Sequence, residues 1–403
     1  MLLTTLCTGE EVHRYKKSIV LFLNGPRKVL STAPHNGGYR EDLTVVFNND
    51  GTVGAGMAAT LMAPTYQEHV ALLAEQLGLD PAKAAGITTA AQMENVSIVS
   101  ASYNELTVTA IVTGGVEVNG GRAGDPATWD EILDQAIENP AHGTINIILH
   151  INVDLTEGAL ARALVTCTEA KSVALQELAA PSRYSMGLAT GSGTDGTIIV
   201  ACADSAIQLM NSGKHCKLGE LIGVTVKQAV TEALALQTGM TPERQHHVIQ
   251  RLERFGITED YLYECYRSQG FNSLDRAHFA ERVALLFKEF GLVVPISLVA
   301  HLLDQMAWGL ISPDEAVSAA DVLLQDMGMP TVPKTGADAL HRILSAVSDG
   351  LLEVIEAGEP LPQIDVDRQG AGTATVLPSA AAGEEDSGAA PMPQLSSDED
   401  SND

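Results

Sequence analysis

The apolar positions along this chain follow two periods that alternate in its first part. Runs typical of buried strands occur at 18–23, 43–47, 96–100, 106–112, 144–151 and 197–203. Apolar residues at helical spacing occur near 66–77, 129–137, 156–178 and 218–236. This interleaving predicts a layered α/β (α+β-like) domain. Because 96–100 and 106–112 are separated by only a few polar residues, we expect a hairpin there and therefore a mixed sheet.

The pattern changes after Thr238 and Gly239, where strand-like runs almost disappear. Amphipathic helical patterns follow at 242–255, 260–268, 275–290, 313–327 and 338–357, with prolines near several of their starts. The sequence therefore predicts an α/β domain at 1–238 and a small all-helical domain at 239–365. No catalytic motif is recognisable in the helical part, which suits docking of a protein partner or self-association. Residues 366–403 are rich in Ala, Gly, Ser and Pro and predict a disordered acidic tail.

Charge and cysteine usage narrow the functional classes. The formal net charge is −27, which disfavours binding to nucleic acid and to anionic membranes. The apolar run at 18–23 is too short to span a bilayer, and the N-terminus has no signal pattern. The five cysteines include no CxxC pair, which favours a reduced, cytoplasmic setting and predicts no metal site.

One long helix predicted at 156–178 carries unusual charges. Asp154 followed by Glu157 suggests a capping box at its start. Lys171 falls in the apolar seam of the helix, where a lysine either extends to the surface or is placed for chemistry. Glu169 lies about 200° around the helix from Lys171, in a polar stripe with Arg162, so the two do not share a face. An Arg162–Glu169 ion pair is the simplest use of that stripe.

The segment Gly191–Gly196 reads GSGTDG and matches the letters of a dinucleotide fingerprint. That fingerprint requires a strand before it and a helix after it, whereas here a helix precedes and a strand follows. We therefore expect a tight glycine loop that enters a strand. Backbone N–H groups of Gly191 and Gly193 would then bind an oxyanion or a ligand carbonyl, with Thr194 and Asp195 adding a hydroxyl and a carboxylate. A purely structural turn explains the same letters.

Two further glycine loops are candidate ligand sites. Asn36, Gly37 and Gly38 follow an extended segment; they suit either a hairpin turn or an amide-binding loop in which backbone approaches a ligand closely. In the second loop Arg122 and Asp125 are three residues apart. Arg122 would clamp a carboxylate or amide oxygen while Asp125 holds it, although a solvated local ion pair fits the spacing equally well.

Ordered segments of the chain resemble the adenosylcobinamide amidohydrolases of the CbiZ type. The resemblance covers roughly residues 10–236 and lies in LSTAPHNGGYREDLTVVFN, GITTAAQM, VTGGVEVNGGRAGDP, GTINIIL, LTEGALARALVT, TEAKSVALQEL, ATGSGTDGTIIVA and KLGELIG. It implies hydrolysis of the amide that joins the aminopropanol arm to the corrin ring of adenosylcobinamide. The product would be adenosylcobyric acid, which re-enters cobalamin synthesis. The resemblance also favours Asn36 as a substrate-binding residue.

Amide hydrolysis requires an attacking water or hydroxyl, an oxyanion site and a proton for the leaving amine. Asp195 or Glu169 is the candidate general base, and Lys171 would polarise the carbonyl or protonate the amine. A variant mechanism uses Thr194 or Thr144 as the nucleophile. The only cobalt expected is that of the corrinoid substrate, with no cofactor. The alternatives are a corrinoid-binding or handover protein without hydrolytic activity and a hydrolase of another secondary amide.

Overall fold

The computed structural model describes residues 1–52, 61–133, 135–137 and 143–359. Its strands are β1 (Leu2–Thr5), β2 (Glu11–Tyr15), β3 (Ser18–Phe22), β4 (Arg27–Ser31), β5 (Gly38–Arg40), β6 (Val45–Asp50), β7 (Ala84–Thr89), β8 (Ser97–Tyr103), β9 (Leu106–Gly115), β10 (Gly120–Gly121), β11 (Trp129–Asp130), β12 (Gln135–Ala136), β13 (Thr144–Ile151), β14 (Asp154–Leu155), β15 (Gly191–Ser192), β16 (Gly196–Cys202) and β17 (Gln208–Leu209). Its α-helices are α1 (Tyr66–Leu77), α2 (Glu157–Glu177), α3 (Lys217–Thr238), α4 (Pro242–Gln245), α5 (Val248–Leu252), α6 (Glu259–Ser268), α7 (Arg276–Leu286), α8 (Phe290–Ala307), α9 (Pro313–Asp326) and α10 (Ala339–Ala357).

Two mixed sheets form the centre of the α/β part. The first has the strand order β1-β2-β3-β6-β7, and the second has the order β5-β4-β16-β13-β9-β8. Each sheet contains one parallel pair, β6 with β7 and β13 with β16. The predicted hairpin at 96–100 and 106–112 is confirmed, because β8 and β9 pair antiparallel. The α/β fold class and its mixed sheet are therefore as expected.

The sheets stack on each other, and helices cover their outer faces. Along β13, Ile147 belongs to the apolar cluster that includes Cys167 of α2 and Val230 of α3, whereas Ile148 belongs to the cluster between the sheets that includes Val46 of β6. This alternation follows from the two-residue period of a strand. The helix α1 covers the far face of the first sheet through its own apolar cluster. Side chains of even-numbered β13 residues therefore lie between the two sheets.

The helices after residue 247 surround a separate apolar core. They contact the α/β part through the segment that follows α2: Arg183 pairs with Glu253 at 3.2 Å, and Arg254 donates to the carbonyl of Met186. Asp304 holds Arg254 in place through two hydrogen bonds. The helix α8 is long and apolar enough to cross a bilayer by length and composition, yet half of its residues are buried in the protein. The predicted domain limits at 238 and 365 remain predictions.

Several sequence expectations differ from the structure. The predicted helix at 129–137 is wrong: Asp130 accepts hydrogen bonds from the N–H groups of Ile132 and Leu133, and this turn joins β11 to β12. Asp154 does not cap α2, because it lies in β14 and pairs with Lys28 at 2.7 Å. Thr156 caps α2 instead.

One helical pattern also needs correction, one helix was not predicted, and one prediction lies outside the described residues. The pattern at 242–255 forms α4, α5 and a 3₁₀ turn rather than one helix, and α8 was not predicted as a separate element. The predicted acidic tail at 366–403 lies outside the described residues.

Candidate active site

The candidate site lies at the edge of the second sheet where β13 and β16 begin. Those parallel strands start at Thr144 and Gly196, so the loops that enter both strands meet at this edge. The helix α2 passes beside them and brings Lys171 to the loop before β16. The predicted glycine loop is confirmed in form: β15 and a short turn lead into β16 without an intervening helix.

Lys171 and Asp195 form a nearly buried ion pair. Each side chain is only 11% exposed, and the ammonium of Lys171 donates to Asp195 Oδ2. Asp195 Oδ1 accepts from Ile145 N at 2.8 Å and from Ser192 Oγ at 2.6 Å, while Oδ2 also accepts from Ser192 N at 2.9 Å. Each carboxylate oxygen thus accepts two hydrogen bonds. This network satisfies a carboxylate that would otherwise be costly to bury, and it fixes the position of the lysine.

Gly191 allows the loop to pass directly over this ion pair. A Cβ atom added to Gly191 would lie 2.3 Å from Asp195 Oδ2 and 2.7 Å from Lys171 Nζ. Both distances are shorter than any ordinary contact, so a larger residue would displace the pair or the loop. The glycine is therefore required by close approach of the backbone to the charged groups.

A cleft of about 600 Å³ opens above Lys171, whereas Asp195 lies behind the lysine and Ser192 and does not itself line the cleft. The predicted residues that line it are Arg122, Asp125, Lys171, Gly191 and Gly193. The cleft is also lined by residues that sequence reasoning did not single out, which include Trp129, Glu131, Ser172, Tyr184, Thr190 and Ser192. Ser192 lies within the recognised glycine motif, three residues before Asp195, and that position was the available sequence signal. Trp129 was assigned to a helix, which concealed its place in the cleft wall.

Asp125 does not clamp the guanidinium of Arg122. Its Oδ2 accepts instead from the backbone N–H of Arg122 at 2.7 Å and from Ser182 Oγ at 2.6 Å. Burial favours the neutral acid, but these bonds, together with one from Ser185, hold the pKa of Asp125 below its ordinary value. Asp125 therefore shapes the loop, and the Arg122 side chain packs beside Gly187 at the cleft.

The two threonines proposed as nucleophiles are neighbours. Their hydroxyls contact each other, and both donate to the carbonyl of Gly143, Thr144 at 2.7 Å and Thr194 at 2.9 Å. Thr194 is exposed and is not among the residues that line the cleft. The structure thus brings the threonines together beside Asp195 but binds their hydroxyls to backbone.

Glu169 lies on the other side of α2 from Lys171, as the helix geometry predicts. It lines a separate groove between α2 and α3 and pairs with Lys214 at 3.0 Å. The expected Arg162–Glu169 pair is therefore replaced by a pair with Lys214, which lies after β17. Glu169 does not reach the cleft.

The loop with Asn36, Gly37 and Gly38 does not line the cleft either. The side-chain amide of Asn36 donates to the carbonyls of Pro81 and Ala84, and its oxygen accepts from Arg40 Nη1, all at 2.8 Å. These bonds hold the 81–84 turn beside the β4–β5 hairpin. The expectation that this loop binds substrate remains a prediction, and the structure gives the amide of Asn36 an internal role.

Comparison with known proteins gives a consistent result for the α/β part. A family model described as adenosylcobinamide amidohydrolase matches residues 3–242. An uncharacterized protein of Methanocaldococcus jannaschii is 32% identical over 231 residues, which cover 55% of this chain and 87% of that protein. The adenosylcobinamide amidohydrolase of Methanosarcina mazei is 28% identical over 229 residues, covering 55% of this chain and 96% of that protein.

Among solved structures, the PH0078 protein from Pyrococcus horikoshii OT3 aligns with a TM-score of 0.28 and 11% identity. That alignment covers 54% of this chain and 76% of the other, and the likeness is too low to carry an argument.

Proposed function

Since the chain belongs to the adenosylcobinamide amidohydrolase family, we propose that it hydrolyses the aminopropanol amide of adenosylcobinamide. The products would be adenosylcobyric acid and the free amine, and the acid would re-enter cobalamin synthesis. The observation that supports this most directly is Lys171, which lines the cleft and is held there by its nearly buried partner Asp195. A fixed positive charge in the cleft supports the proposal, because amide hydrolysis develops negative charge on the carbonyl oxygen.

In the proposed mechanism Lys171 binds the carbonyl oxygen of the scissile amide. Asp195 keeps the ammonium in place, so the cation stabilises the oxyanion without moving during the reaction. The N–H of Gly193, which has no hydrogen-bond acceptor among the described residues, is the second proposed oxyanion donor. Removal of one such donor in other enzymes costs about 10²–10³ in kcat.

Asp195 also receives the proton of the attacking water, through Ser192. The water donates to Ser192 Oγ, and that hydroxyl passes its proton to Asp195 Oδ1, 2.6 Å away. The new C–O bond forms as the carbonyl becomes tetrahedral. When the C–N bond breaks, the proton returns to the leaving nitrogen, so the products are a carboxylic acid group and an amine, which then ionise.

The cleft walls supply binding rather than bond cleavage. Trp129 and Tyr184 offer flat apolar surface to the corrin ring, and Arg122 offers donors to a peripheral carboxamide oxygen. In this proposal Thr194 supports the carbonyl of Gly143 and does not attack the substrate.

Incubation of the full chain with adenosylcobinamide, followed by chromatography of the corrinoids, tests the proposal. A new anionic corrinoid together with free aminopropanol is expected. Recovery of unchanged corrinoid bound to protein would favour the alternative of a non-hydrolytic binding or handover protein. A Lys171→Met variant run in parallel excludes a contaminating hydrolase, because its product should be at least about 100-fold lower.

A further inference from the structure

A second polar cluster lies between the two sheets, at the opposite end of β13 and β16 from the cleft. It consists of Glu10 from the β1–β2 turn, His150 near the end of β13 and Cys202 at the end of β16. These side chains have at most 1% exposure. Their donor atoms, one oxygen, one nitrogen and one sulfur, all lie within 4.8 Å of one another. Three segments that are far apart in sequence thus converge on one point.

Several polar atoms compete for one nitrogen of His150, and the hydroxyl of Thr8 and the thiol of Cys202 both lie within hydrogen-bond distance of it. This nitrogen, Nε2, lies 3.4 Å from Glu10 Oε1 and 3.6 Å from Cys202 Sγ. A histidine bonded to a carboxylate would lie about 2.7–2.9 Å from it, and one nitrogen can satisfy only one partner at a time. The other ring nitrogen, Nδ1, is buried without a partner among the described residues. No single bond therefore explains why the three groups surround this nitrogen.

The same distances match the ligand spacing of a tetrahedral zinc site. Bond lengths of about 2.0–2.1 Å to nitrogen and oxygen and about 2.3 Å to sulfur place ligands roughly 3.3 Å (N to O) and 3.6 Å (N to S) apart. We propose that Glu10, His150 and Cys202 bind a structural Zn²⁺ ion. Thr8 Oγ1, which donates to Glu10 Oε2 and lies 3.2 Å from the same nitrogen, would supply the fourth oxygen donor.

The charges around the cluster are compatible with a divalent cation. Arg27 donates to Glu10 Oε1 and to Asp204 Oδ1, each at 2.6 Å, and orients the first carboxylate. With Zn²⁺ and a Cys202 thiolate, two positive groups would be balanced by Glu10, Asp204 and the thiolate.

The proposed ion would connect the N-terminal hairpin to the central sheet. From the sequence we expected that the cysteines bind no metal, because they lack ligand spacing. A spacing argument detects only ligands that are close in sequence, whereas Glu10, His150 and Cys202 are brought together by the tertiary structure. The site is remote from the cleft, since the candidate active site lies where β13 and β16 begin and this cluster lies where they end. The role proposed here is therefore stabilisation rather than catalysis, and it is independent of the proposed reaction.

The test is the metal content of the full chain, purified without a polyhistidine tag from zinc-replete cells. About one zinc per chain is expected, and Co²⁺ exchanged into the protein should show a thiolate-to-cobalt charge-transfer band. Cys202→Ser should abolish the band and lower the zinc content at least about 10-fold. Cys167→Ser is the matched control, because Cys167 is equally buried but lies outside the cluster.

The zinc content and cobalt spectrum of the wild-type chain test the proposal even where a variant fails to fold. Less than about one tenth of a zinc per chain, together with no thiolate–cobalt band, would overturn the proposal. Zinc and the cobalt band retained in a folded Cys202→Ser or His150→Gln variant would also overturn it, since the ion would then be bound elsewhere. Loss of zinc in both variants, with a lower Tm and with zinc retained in Cys167→Ser, is the supporting result.

Discussion

The backbone of Gly191 lies over Lys171 so closely that a methyl group on Gly191 would be 2.7 Å from the lysine Nζ. The cation is thus confined between the glycine loop above and the carboxylate of Asp195 beside it. A lysine held in this way loses its usual side-chain freedom before substrate arrives. Such preorganisation is what an oxyanion-stabilising charge requires.

Gly191→Ala should therefore impair the reaction while the protein stays folded. The added methyl group would lie 2.3 Å from Asp195 Oδ2 and must move the loop or the ion pair. We expect kcat to fall at least about 10-fold, because displacements near 1 Å in active sites cost up to 10²-fold. Gly158→Ala in the same helix as Lys171 is the control, since no atom lies within 4 Å of its added Cβ. Normal turnover in Gly191→Ala would show that the pair can shift without consequence.

Asp195→Asn should lower turnover by about 100-fold or more, the usual effect of losing a general base. The asparagine NH₂ group would face N–H or O–H donors, so two of the four hydrogen bonds to this side chain would be lost. Circular dichroism and a thermal melt would establish that the variant is folded. Glu169→Gln is the matched control, because Glu169 pairs with Lys214 outside the cleft. Equal losses in both variants would indicate a general effect of removing charge from the domain.

Thr194→Ala separates the water mechanism from a threonine nucleophile. Under the proposed mechanism turnover falls less than about 10-fold, because Thr194 only supports Gly143 through a 2.9 Å hydrogen bond. Steady-state assays of Thr194→Ala and Thr144→Ala give the measurement. Abolished turnover in a folded Thr194→Ala protein, with Asp195→Asn near normal, would establish the covalent route instead.

Removal of the helical part should leave a folded domain that cleaves substrate, as the position of the sequence motifs predicts. The structure indicates where the cut belongs. Gln237 binds Gln92 N and the Asn95 amide, and Gln245 is buried against the carbonyl of Leu178. A chain ending after Gln245 should therefore melt at a higher temperature than one ending after Leu236. Loss of activity in both, with cooperative melts, would show that the helices help to build the site.

Acidification should destabilise the helical part through His247. Burial, and to a lesser extent the charge of Lys288, lowers the pKa of His247 from 6.5 to about 4. Because the folded pKa is depressed, the unfolded chain binds more protons, and the free energy of unfolding falls as pH drops from about 6.5 towards 4. Denaturant melts across that range should show a smaller decline for His247→Gln than for the exposed control His246→Gln. Identical pH profiles would remove His247 as the cause.

Much of the α/β architecture could be predicted because buried strands and amphipathic helices have clear periods. The strand at 144–151 and the helices near 156–178 and 218–236 match β13, α2 and α3 closely. The helix α8 was missed because it is apolar around most of its circumference and contains Pro295, so it has little amphipathic signal. The segment at 129–137 has helical spacing, but Ile132 is 94% exposed, so its apolar residues pack on nothing that would favour a helix.

Only part of the candidate site could be predicted from the sequence. Lys171 stood out because a charge in an apolar seam needs a partner, but its partner was not identifiable, since Asp195 lies on a separate segment 24 residues later. The same limit applies to Glu10, His150 and Cys202, which no local spacing connects. Asn36 illustrates the opposite case: its loop was conspicuous, yet the fold uses its amide for backbone carbonyls.

The segment between α2 and β15 connects the helical part of the chain to the wall of the cleft. Its carbonyls at Leu178 and Met186 are bound by Gln245 and Arg254, while Tyr184 of the same segment forms part of the cleft wall. A protein that docks on the helices and shifts Arg254 would therefore move the substrate-facing side of the segment without touching the ion pair. Such a partner would change KM more than kcat, so the helical extension would adjust the affinity for substrate rather than the rate of bond cleavage.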